Sequence, residues 1–350
     1  MKKIRLFSWF PITALLIFSA CSCTTEGEMQ QILGKRAVAP VFLDCRPVSA
    51  TEIVFSFTQD VRVVSLHFDA DVETGAITEG REVTVTLARP LGEGRKVTAD
   101  ILVEDSGRNS LNVIVPFRTR NDRMPAMVFN ELRFDYSSSN NNKVEFVEFK
   151  TLESGNLGAM RLFIAHQSLN DAFYEFPPAE VKAGEYIVLH LRSLGEGCAD
   201  ETGADLGLCK AVDAQAGARD FWIPGSKKLL HKTNGLWLLD QDDRVIDALL
   251  LSDCADSGSL SAAFSKTFAS AAEFLGSRKA WFPSESPSGD AAGEASVPGL
   301  GSAAVTLGTT NTRTLCRDET IAPARRAANW YITATSSATP GLPNNPKRYQ

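Results

Sequence analysis

The stretch REVTVTLARPLGEGRKVTADILVEDSGRNSLNVIVPF, residues 81–117, alternates apolar and polar side chains over three successive segments. The apolar side chains of these segments stand two residues apart, at Val83, Val85, Leu87, Val97, Ala99, Ile101, Val103, Val113, Val115 and Phe117. Side chains two residues apart lie on one face of a β-strand, so the spacing predicts strands with one buried face. Glycines interrupt the alternation, at Gly75, Gly80, Gly92, Gly94 and Gly107. The stretch therefore predicts a small antiparallel β-sandwich.

The alternation extends towards the N-terminus through Ile53, Phe55 and Phe57, and about seven strands fit between residues 39 and 119. TEIVFSFTQDV, residues 51–61, and VEDSGRNSL, residues 103–111, resemble the bacterial Ig-like domains of surface-layer and other envelope proteins. That resemblance implies a spacer or a weak binding module. The charged segment RTRNDRMPAM, residues 118–127, is predicted to connect this module to a second domain, and the chain length also favours two domains.

Six segments of the second half resemble, in order, the strands of lamin-tail domains, which are Ig-like β-sandwiches that also occur in exported bacterial proteins. They are FNEL (129–132), KVEFVEFKT (143–151), NLGAMRLFI (156–164), KAGEYIVLH (182–190), LWLLDQDDRVIDALLL (236–251) and ANWYITATSSATPGLPN (328–344). Met160 replaces an aromatic residue of the family pattern, and Asn329 stands where Asp is usual. The resemblance implies a lamin-tail domain over residues 126–345. It also places acidic side chains on strands of a non-catalytic module, namely Glu131, Glu145 and Glu148.

An insertion at about residues 252–310 separates the hairpin of this domain from its closing segment. Apolar residues recur at helical spacing within it, at Leu260, Phe264, Phe268, Ala271 and Leu275. This spacing predicts a short amphipathic helix around residues 259–276 that packs on the sandwich. Residues 283–302, rich in Ser, Gly, Pro and Ala, are predicted to form a loop. The predicted fold class is therefore all-β, with two Ig-like antiparallel β-sandwiches in tandem and a short helical and loop insertion in the second.

The N-terminus has the order of a secretion signal, with basic residues before an apolar run that is too short for a typical membrane-spanning helix. Phe18, Ser19 and Ala20 lead into Cys21 and resemble the bacterial lipobox, although Leu is commoner than Phe at the first position. The resemblance implies that residues 1–20 are a lipoprotein signal peptide and that Cys21 is acylated. An ordinary signal peptide is the alternative. Residues 21–38, without apolar periodicity, are predicted to be a tether.

The chain has 36 basic and 42 acidic residues, and the acidic excess grows once the three basic residues of the signal peptide are removed. Nucleic acids require clustered Lys and Arg, so they are not expected partners. Export permits disulfides, and the six cysteines other than Cys21 allow many pairings. Two pairings are candidates, Cys198 with Cys209 and Cys254 with Cys316. Free or buried thiols are the alternative.

No catalytic or metal-binding pattern is evident in the sequence. The four histidines have no accompanying nucleophile motif and are read as surface or packed side chains: His67, His166, His190 and His231. Cys198 and Cys209 lack the partner ligands that zinc requires. The acidic groups Asp240, Asp242, Asp243 and Asp200, Glu201, Asp205 do not follow a calcium-binding loop, so they are read as solvated turns. We therefore expect no enzyme, no metal and no cofactor.

The sequence favours an exported protein, lipid-anchored to the cell envelope at the outer membrane, that acts as a binding or scaffolding module through its lamin-tail domain. Its expected contacts are the membrane, through the lipid, and a protein or glycan of unknown identity. One alternative is a secreted hydrolase with a site between residues 198 and 316, tested at Asp200, Glu201, Asp205 and His231. Another is a purely structural envelope protein.

Overall fold

The computed structural model describes residues 38–136, 143–165, 173–254, 262–282 and 297–350, without the side chains of residues 262–264. The predicted signal peptide, Cys21, the tether up to residue 37 and His166 lie outside the described residues, as does most of the predicted loop 283–302. Within the described part of the chain, no helix has the length and apolar character needed to cross a membrane.

The first module is one six-stranded sheet in the order β3-β4-β2-β5-β6, and β1 also pairs with β2. All of its pairings are antiparallel. Its strands are β1 (Phe42–Ser49), β2 (Glu52–Phe68), β3 (Thr74–Thr78), β4 (Gly80–Leu87), β5 (Lys96–Asp105) and β6 (Ser110–Arg118). The alternation predicted for residues 97–103 is present, because Val97, Ala99, Ile101 and Val103 are all buried in one apolar core.

The structure has six strands in this module, where the sequence predicts about seven. The difference lies in β2, whose 17 residues run on past Phe57 without a turn. The first half of β2 pairs with β1 and β4, and its second half pairs with β5. Register shifts between Ser56 and Val61, and between Val63 and Ser65, let the strand bend from one set of partners to the other.

The second module contains two larger sheets that share one apolar core. The first has the order β14-β13-β8-β7-β18-β19, from β7 (Met127–Arg133), β8 (Phe146–Thr151), β13 (Tyr186–His190), β14 (Arg219–Trp222), β18 (Leu315–Arg317) and β19 (Trp330–Ile332). The second has the order β11-β10-β15-β16-β17, from β10 (Arg161–Ile164), β11 (Tyr174–Glu175), β15 (Asn234–Leu239), β16 (Val245–Ser252) and β17 (Ala304–Val305). A small ribbon pairs β9 (Gly155–Asn156) with β12 (Glu180–Val181). The prediction of an all-β fold is confirmed, although β13–β14 and β16–β17 pair in parallel.

The predicted helix is present as α1 (Ala262–Ser277) and covers the outer face of β15. Its Phe268, Ala271 and Leu275 are buried in the common core, as the helical spacing predicts. Gly235 of β15 allows the close approach, since an added Cβ would lie 2.5 Å from the Cβ of Ala271. Both faces of β15 are therefore covered, which explains why NGLWLL, residues 234–239, is buried throughout.

Candidate functional site

A cleft of about 680 Å³ opens where the two modules meet. A cavity of this size falls within the usual range for small-ligand sites, which often lie between domains. The first module and its connection supply Asp44, Cys45, Arg46, Pro47, Val48, Arg118 and Arg120, and the second module supplies Ala159, Arg161, Glu175, Gln241 and Asp242. The sequence does not predict this cleft, because its lining residues come from five separate parts of the chain.

Arginines give the cleft its character. Four arginines face three acidic residues in its lining. Arg118 forms an ion pair with Glu175 across the modules, while burial and the neighbouring Arg161 lower the pKa of Arg118. Arg46 is exposed and forms no ion pair within the described residues. The β1 wall of the cleft therefore offers the exposed side chains of Arg46 and Asp44, neither of which is held in an ion pair within the described residues.

The connection between the modules is held firmly against the second module. Arg120 binds Asp242 through two hydrogen bonds of 2.8 and 2.9 Å, which raise the pKa of Arg120. Asn121 and Gln241 exchange two hydrogen bonds, each 2.9 Å between side chain and backbone. The buried Asn121 amide also donates to the carbonyls of Asn156 and Gly158. Arg120 and Asn121 of the predicted connection are thus fixed by polar contacts.

The acidic turn of the β15–β16 hairpin serves these contacts. Asp240 Oδ1 accepts the backbone N–H groups of Asp242 and Arg244, at 2.8 and 2.9 Å, and so shapes the turn. Asp242 then pairs with Arg120, and Asp243 pairs with Arg161 at 2.6 Å. Asp242 and Asp243 therefore bind arginine side chains, whereas the Asp240 carboxylate binds the backbone of the turn.

Two glycines allow the backbones of the two modules to approach closely. Gly94 has a φ of +60°, and a Cβ added to Gly158 would lie 2.7 Å from the carbonyl oxygen of Glu93. Arg123 bridges the same junction, binding Glu93 of the first module at 2.7 Å and Glu180 of the second at 2.6 Å. The cleft therefore lies beside a close-packed junction.

Glu131 and Glu148, highlighted by the lamin-tail resemblance, lie opposite each other on β7 and β8 and are fully buried. Glu131 accepts hydrogen bonds from the Thr314 hydroxyl and from the N–H and hydroxyl of Thr339. Glu148 accepts from Asn130 Nδ2 at 2.7 Å and from Gly341 N at 2.6 Å. These contacts fasten the closing TPGLPN segment to the sheet.

Burial, and then the charge of Glu131, raise the pKa of Glu148 well above its usual value. Burial also raises the pKa of Glu131, although its hydrogen bonds oppose the shift. Two facing carboxylates in an apolar interior cannot both ionise cheaply, so the pair retains a proton. Glu145, just before β8, instead binds the Arg192 guanidinium through both of its oxygens.

His190 and Asp220 form a second buried polar pair, at the parallel edge β13–β14. His190 Nε2 lies 2.7 Å from Asp220 Oδ1, and the imidazole stacks on Trp222 with 3.8 Å between ring centroids. His190 Nδ1 and Asp220 Oδ2 have no hydrogen-bond partner among the described residues. The other two described histidines lie elsewhere. His67 is on β2. Burial, and then the positive charge of Lys228, lower the pKa of His231.

The loop that leads into β14 is held by its acidic side chains. Asp200 Oδ1 accepts the N–H of Trp222 at 2.8 Å, and Glu201 accepts those of Cys209 and Asp220, both at 3.0 Å. Asp205 accepts the N–H of Gly207 at 2.9 Å. Glu201 is buried, so its carboxylate is a structural acceptor rather than part of the solvated turn predicted from the sequence, whereas Asp200 and Asp205 are exposed.

The four disulfide candidates are placed differently. Cys198 and Cys209 carry free thiols in one small cluster with Val144 and Trp222. Cys316 is buried on β18 with its thiol 3.7 Å from the Thr314 hydroxyl. Cys254 is half-buried after β16, with its sulfur 3.4 Å from Asp253 Oδ1. Neither bond is formed in this structure, and both pairings stay predictions. Among the described residues, no group of three His, Cys, Asp or Glu side chains is arranged to hold a metal ion.

Comparison with known families identifies the second module. The model of a family described as "TP_1001_2nd: protein second domain" matches residues 125–332, which is more than half of the chain. The chain belongs to this family. The TP_1001 second-domain region begins in the arginine-rich connection and ends in β19, so it includes Glu131, Glu148, His190 and the acidic turn.

An uncharacterised protein of Treponema pallidum (strain Nichols) is 32% identical over 137 residues, which is 38% of this chain. The match spans only 34% of that protein's length. Among solved structures, the N-terminal part of the bacterial S-layer protein SbsC gives a TM-score of 0.23 at 16% identity, covering 40% of this chain and 38% of that one.

Proposed function

We propose that this protein is an exported lipoprotein, anchored to the cell envelope through Cys21, which acts as a binding or scaffolding module through its second domain. The observation that carries the proposal is the cleft at the junction of two rigidly joined β modules. Ion pairs from Arg118 and Arg120 fix the walls of this cleft before any partner binds, and Arg123 ties the junction beside it. Preorganised walls reduce the ordering cost of association.

The Ig-like and lamin-tail resemblances support the same proposal, since such modules act as spacers and as binding units. In this arrangement the first module holds the cleft at a distance from the lipid. The partner is a protein or glycan of the envelope or of its surroundings. The exposed Arg46 and the ion-paired Arg161 face it with guanidinium groups suited to carboxylate-bearing surfaces.

The anchor is tested first, by the intact mass of protein extracted from membranes with detergent. We expect a chain that begins at Cys21 and carries acyl groups. We expect the variant Cys21→Ser to be found in the soluble fraction instead of the membrane fraction. An unlipidated chain that retains residues 1–20 would contradict the anchor.

Binding is tested by calorimetry of the full chain against envelope glycans, extracellular matrix proteins and purified envelope lipoproteins. For a binder, we expect Arg46→Ala together with Arg161→Ala to weaken affinity by at least about tenfold, as is common when a central arginine is lost from an interface. Arg81→Ala is the matched control, since Arg81 is exposed on the first module and outside the cleft. Silence of every candidate, or equal loss with Arg81→Ala, would contradict the proposal.

A further inference from the structure

The loop between β13 and β14 brings two cysteines together. Lys210 N donates a hydrogen bond of 3.0 Å to Gly197 O, so the two ends of the loop run side by side there. Gly197 has a φ of +82°, and an added Cβ would lie 2.9 Å from the carbonyl carbon of Lys210. This hydrogen bond brings the residues that adjoin it on the inner side of the loop near to each other. Those residues are Cys198 and Cys209.

Both thiols lie close to the same stretch of backbone, residues 194–197. Cys209 Sγ lies 3.5 Å from Gly197 O, the carbonyl of the peptide bond that continues into Cys198. Cys198 Sγ lies 3.8 Å from Leu194 O, and both cysteines contribute to one apolar cluster. Burial, and then the neighbouring Cys209, raise the pKa of the Cys198 thiol, which is consistent with close sulfur atoms.

We infer that Cys198 and Cys209 form a disulfide bond that closes this loop and fixes one wall of a second cleft. In the reaction each thiol gives up its hydrogen and a sulfur–sulfur bond forms. The two electrons and two protons pass to a disulfide oxidant, such as an oxidised dithiol carrier or glutathione disulfide, which leaves as two thiols.

The closed loop would act on a cleft of about 540 Å³ beside it. Residues 202–206, which lie inside the ring, supply one wall, and Arg219 lies at its base. Arg219 Nη1 donates to the carbonyl of Gly203 at 2.9 Å and also to that of Glu201. Its Nε binds Glu185 at 2.8 Å on the opposite wall. The disulfide would hold the carbonyls of Glu201 and Gly203 in the positions at which they accept hydrogen bonds from Arg219.

The bond would also steady β14. Inside the ring, Asp200 holds the N–H of Trp222 and Glu201 holds that of Asp220. β14 is an edge strand whose pairing with β13 is parallel and only four residues long. Short edge strands unfold locally with a low free-energy cost. A disulfide in the loop that supports β14 should therefore slow the local opening of this strand.

The test uses the full chain, reduced, exchanged into glutathione disulfide, alkylated and digested with trypsin. Trypsin cuts after Arg192 and Lys210, so both cysteines fall in one peptide, residues 193–210. We expect this peptide to be two hydrogens lighter than its reduced form and to carry no alkyl group. A glutamate-specific protease then cuts at Glu196 and Glu201, and the fragments 197–201 and 202–210 should stay joined until reduction.

Recovery of this peptide with both cysteines alkylated, or of Cys198 bonded to another cysteine, would overturn the inference. Cys45→Ser is the matched control and should leave the result unchanged, because Cys45 lies on β1 of the first module. The oxidant is supplied in the tube, so a failure here is distinct from a failure of the proposed export and anchoring.

The effect on β14 is measured by hydrogen exchange at the amides of Asp220 and Trp222. A disulfide that closes a ring of this size lowers the conformational entropy of the locally unfolded chain. The effect corresponds to a change of roughly 100-fold in the equilibrium constant for opening, so amide exchange should slow by up to that factor. The variant Cys198→Ser, Cys209→Ser should show no difference between oxidising and reducing conditions. Equal exchange in oxidised and reduced wild-type protein would overturn the claim that the bond fixes the wall.

Discussion

The two modules are held together inside by different means. The first has an apolar core, and Asp105 is its one charged side chain that is buried between residues 38 and 118. The second buries a proton-sharing acid pair, the His190–Asp220 pair and the Asp247–Arg317 ion pair within its interior. A sheet with one solvated face needs only alternation, whereas strands that are buried on both faces must pair the polar side chains that they carry inside.

The largest expected effect comes from Arg317→Ala, which breaks the buried ion pair of the second module. Arg317 Nη2 binds Asp247 Oδ2 at 2.8 Å, and its Nε donates to Phe129 O at 2.6 Å. Removing one partner of a buried pair leaves the other charge unpaired and costs about 3–5 kcal/mol. The free energy of unfolding should fall by that amount in denaturant titrations followed by tryptophan fluorescence.

Four of the five tryptophans lie in the second module, at Trp222, Trp237, Trp281 and Trp330, and Trp9 lies in the predicted signal peptide. The fluorescence signal of a chain without residues 1–20 is therefore assigned to the second module. The double change Arg317→Met, Asp247→Leu is the informative companion, because removing both charges should cost less than removing one. If the double variant were less stable than Arg317→Ala, the cost of Arg317→Ala would not come from leaving the Asp247 charge unpaired.

The next effect tests the junction between the modules. In Gly158→Ala the new methyl group would collide with the Glu93 backbone, and overpacking of this kind costs about 1–3 kcal/mol. We expect the unfolding transitions seen by tryptophan fluorescence and by far-UV circular dichroism to separate, since only the latter reports the first module. Gly301→Ala is the control, because its Cβ would meet nothing within 4 Å. Coincident transitions in Gly158→Ala would show that the modules do not depend on this contact.

The difference between the modules also decides what could be predicted from the sequence. The burial of Val97, Ala99 and Ile101 follows from spacing along one strand, and α1 follows from its helical period. The bond between Glu131 and Thr339 joins residues 208 positions apart, a separation that no local period reveals. The lamin-tail resemblance singled out Glu131, Glu148 and the TPGLPN segment separately but did not indicate that they touch.

Two other features escaped the sequence for related reasons. Thr58, Gln59 and Asp60 have turn-like composition, yet β2 continues through them because the Gln59 side chain binds Asp105 of β5 at 2.7 Å. The cleft depends on the packing of one module against the other, which is a long-range property. The arginines of the connection were the one sequence signal for the cleft, because arginines at a domain boundary often pair with acidic residues of the neighbouring domain.

The acid pair predicts a pH dependence for the second module. The folded-state pKa of Glu148 lies well above its usual value of 4.5, so the folded chain keeps a proton that the unfolded chain releases. The free energy of unfolding should therefore fall as the pH rises above 4.5 and through the folded pKa, by at most about 1.4 kcal/mol per pH unit for one proton. Glu148→Gln should remove that slope in titrations followed by tryptophan fluorescence. A slope that survives in Glu148→Gln would place the proton elsewhere.

Asp105 of the first module should show the opposite sign. Hydrogen bonds from Asn109, and also from Gln59, lower the pKa of Asp105. Its contribution to stability is present above the unfolded pKa and is lost as the pH falls through the folded pKa. Asp105→Asn should therefore weaken the acid-side loss seen by circular dichroism while leaving the fluorescence slope of the second module intact.

The smallest expected effect comes from Arg62→Ala, which removes an ion pair of the first module. Arg62 lies 3.1 Å from Glu104, but its side chain is 58% exposed, so water screens the attraction. Pairs of this kind contribute about 0–1 kcal/mol, several times less than the loss expected for Arg317→Ala. The same denaturant titration, followed by circular dichroism with and without added salt, measures this loss. If Arg62→Ala cost as much as Arg317→Ala, the exposed ion pair of the first module would stabilise the protein as much as the buried ion pair of the second. The proposed difference between the two modules would then be wrong.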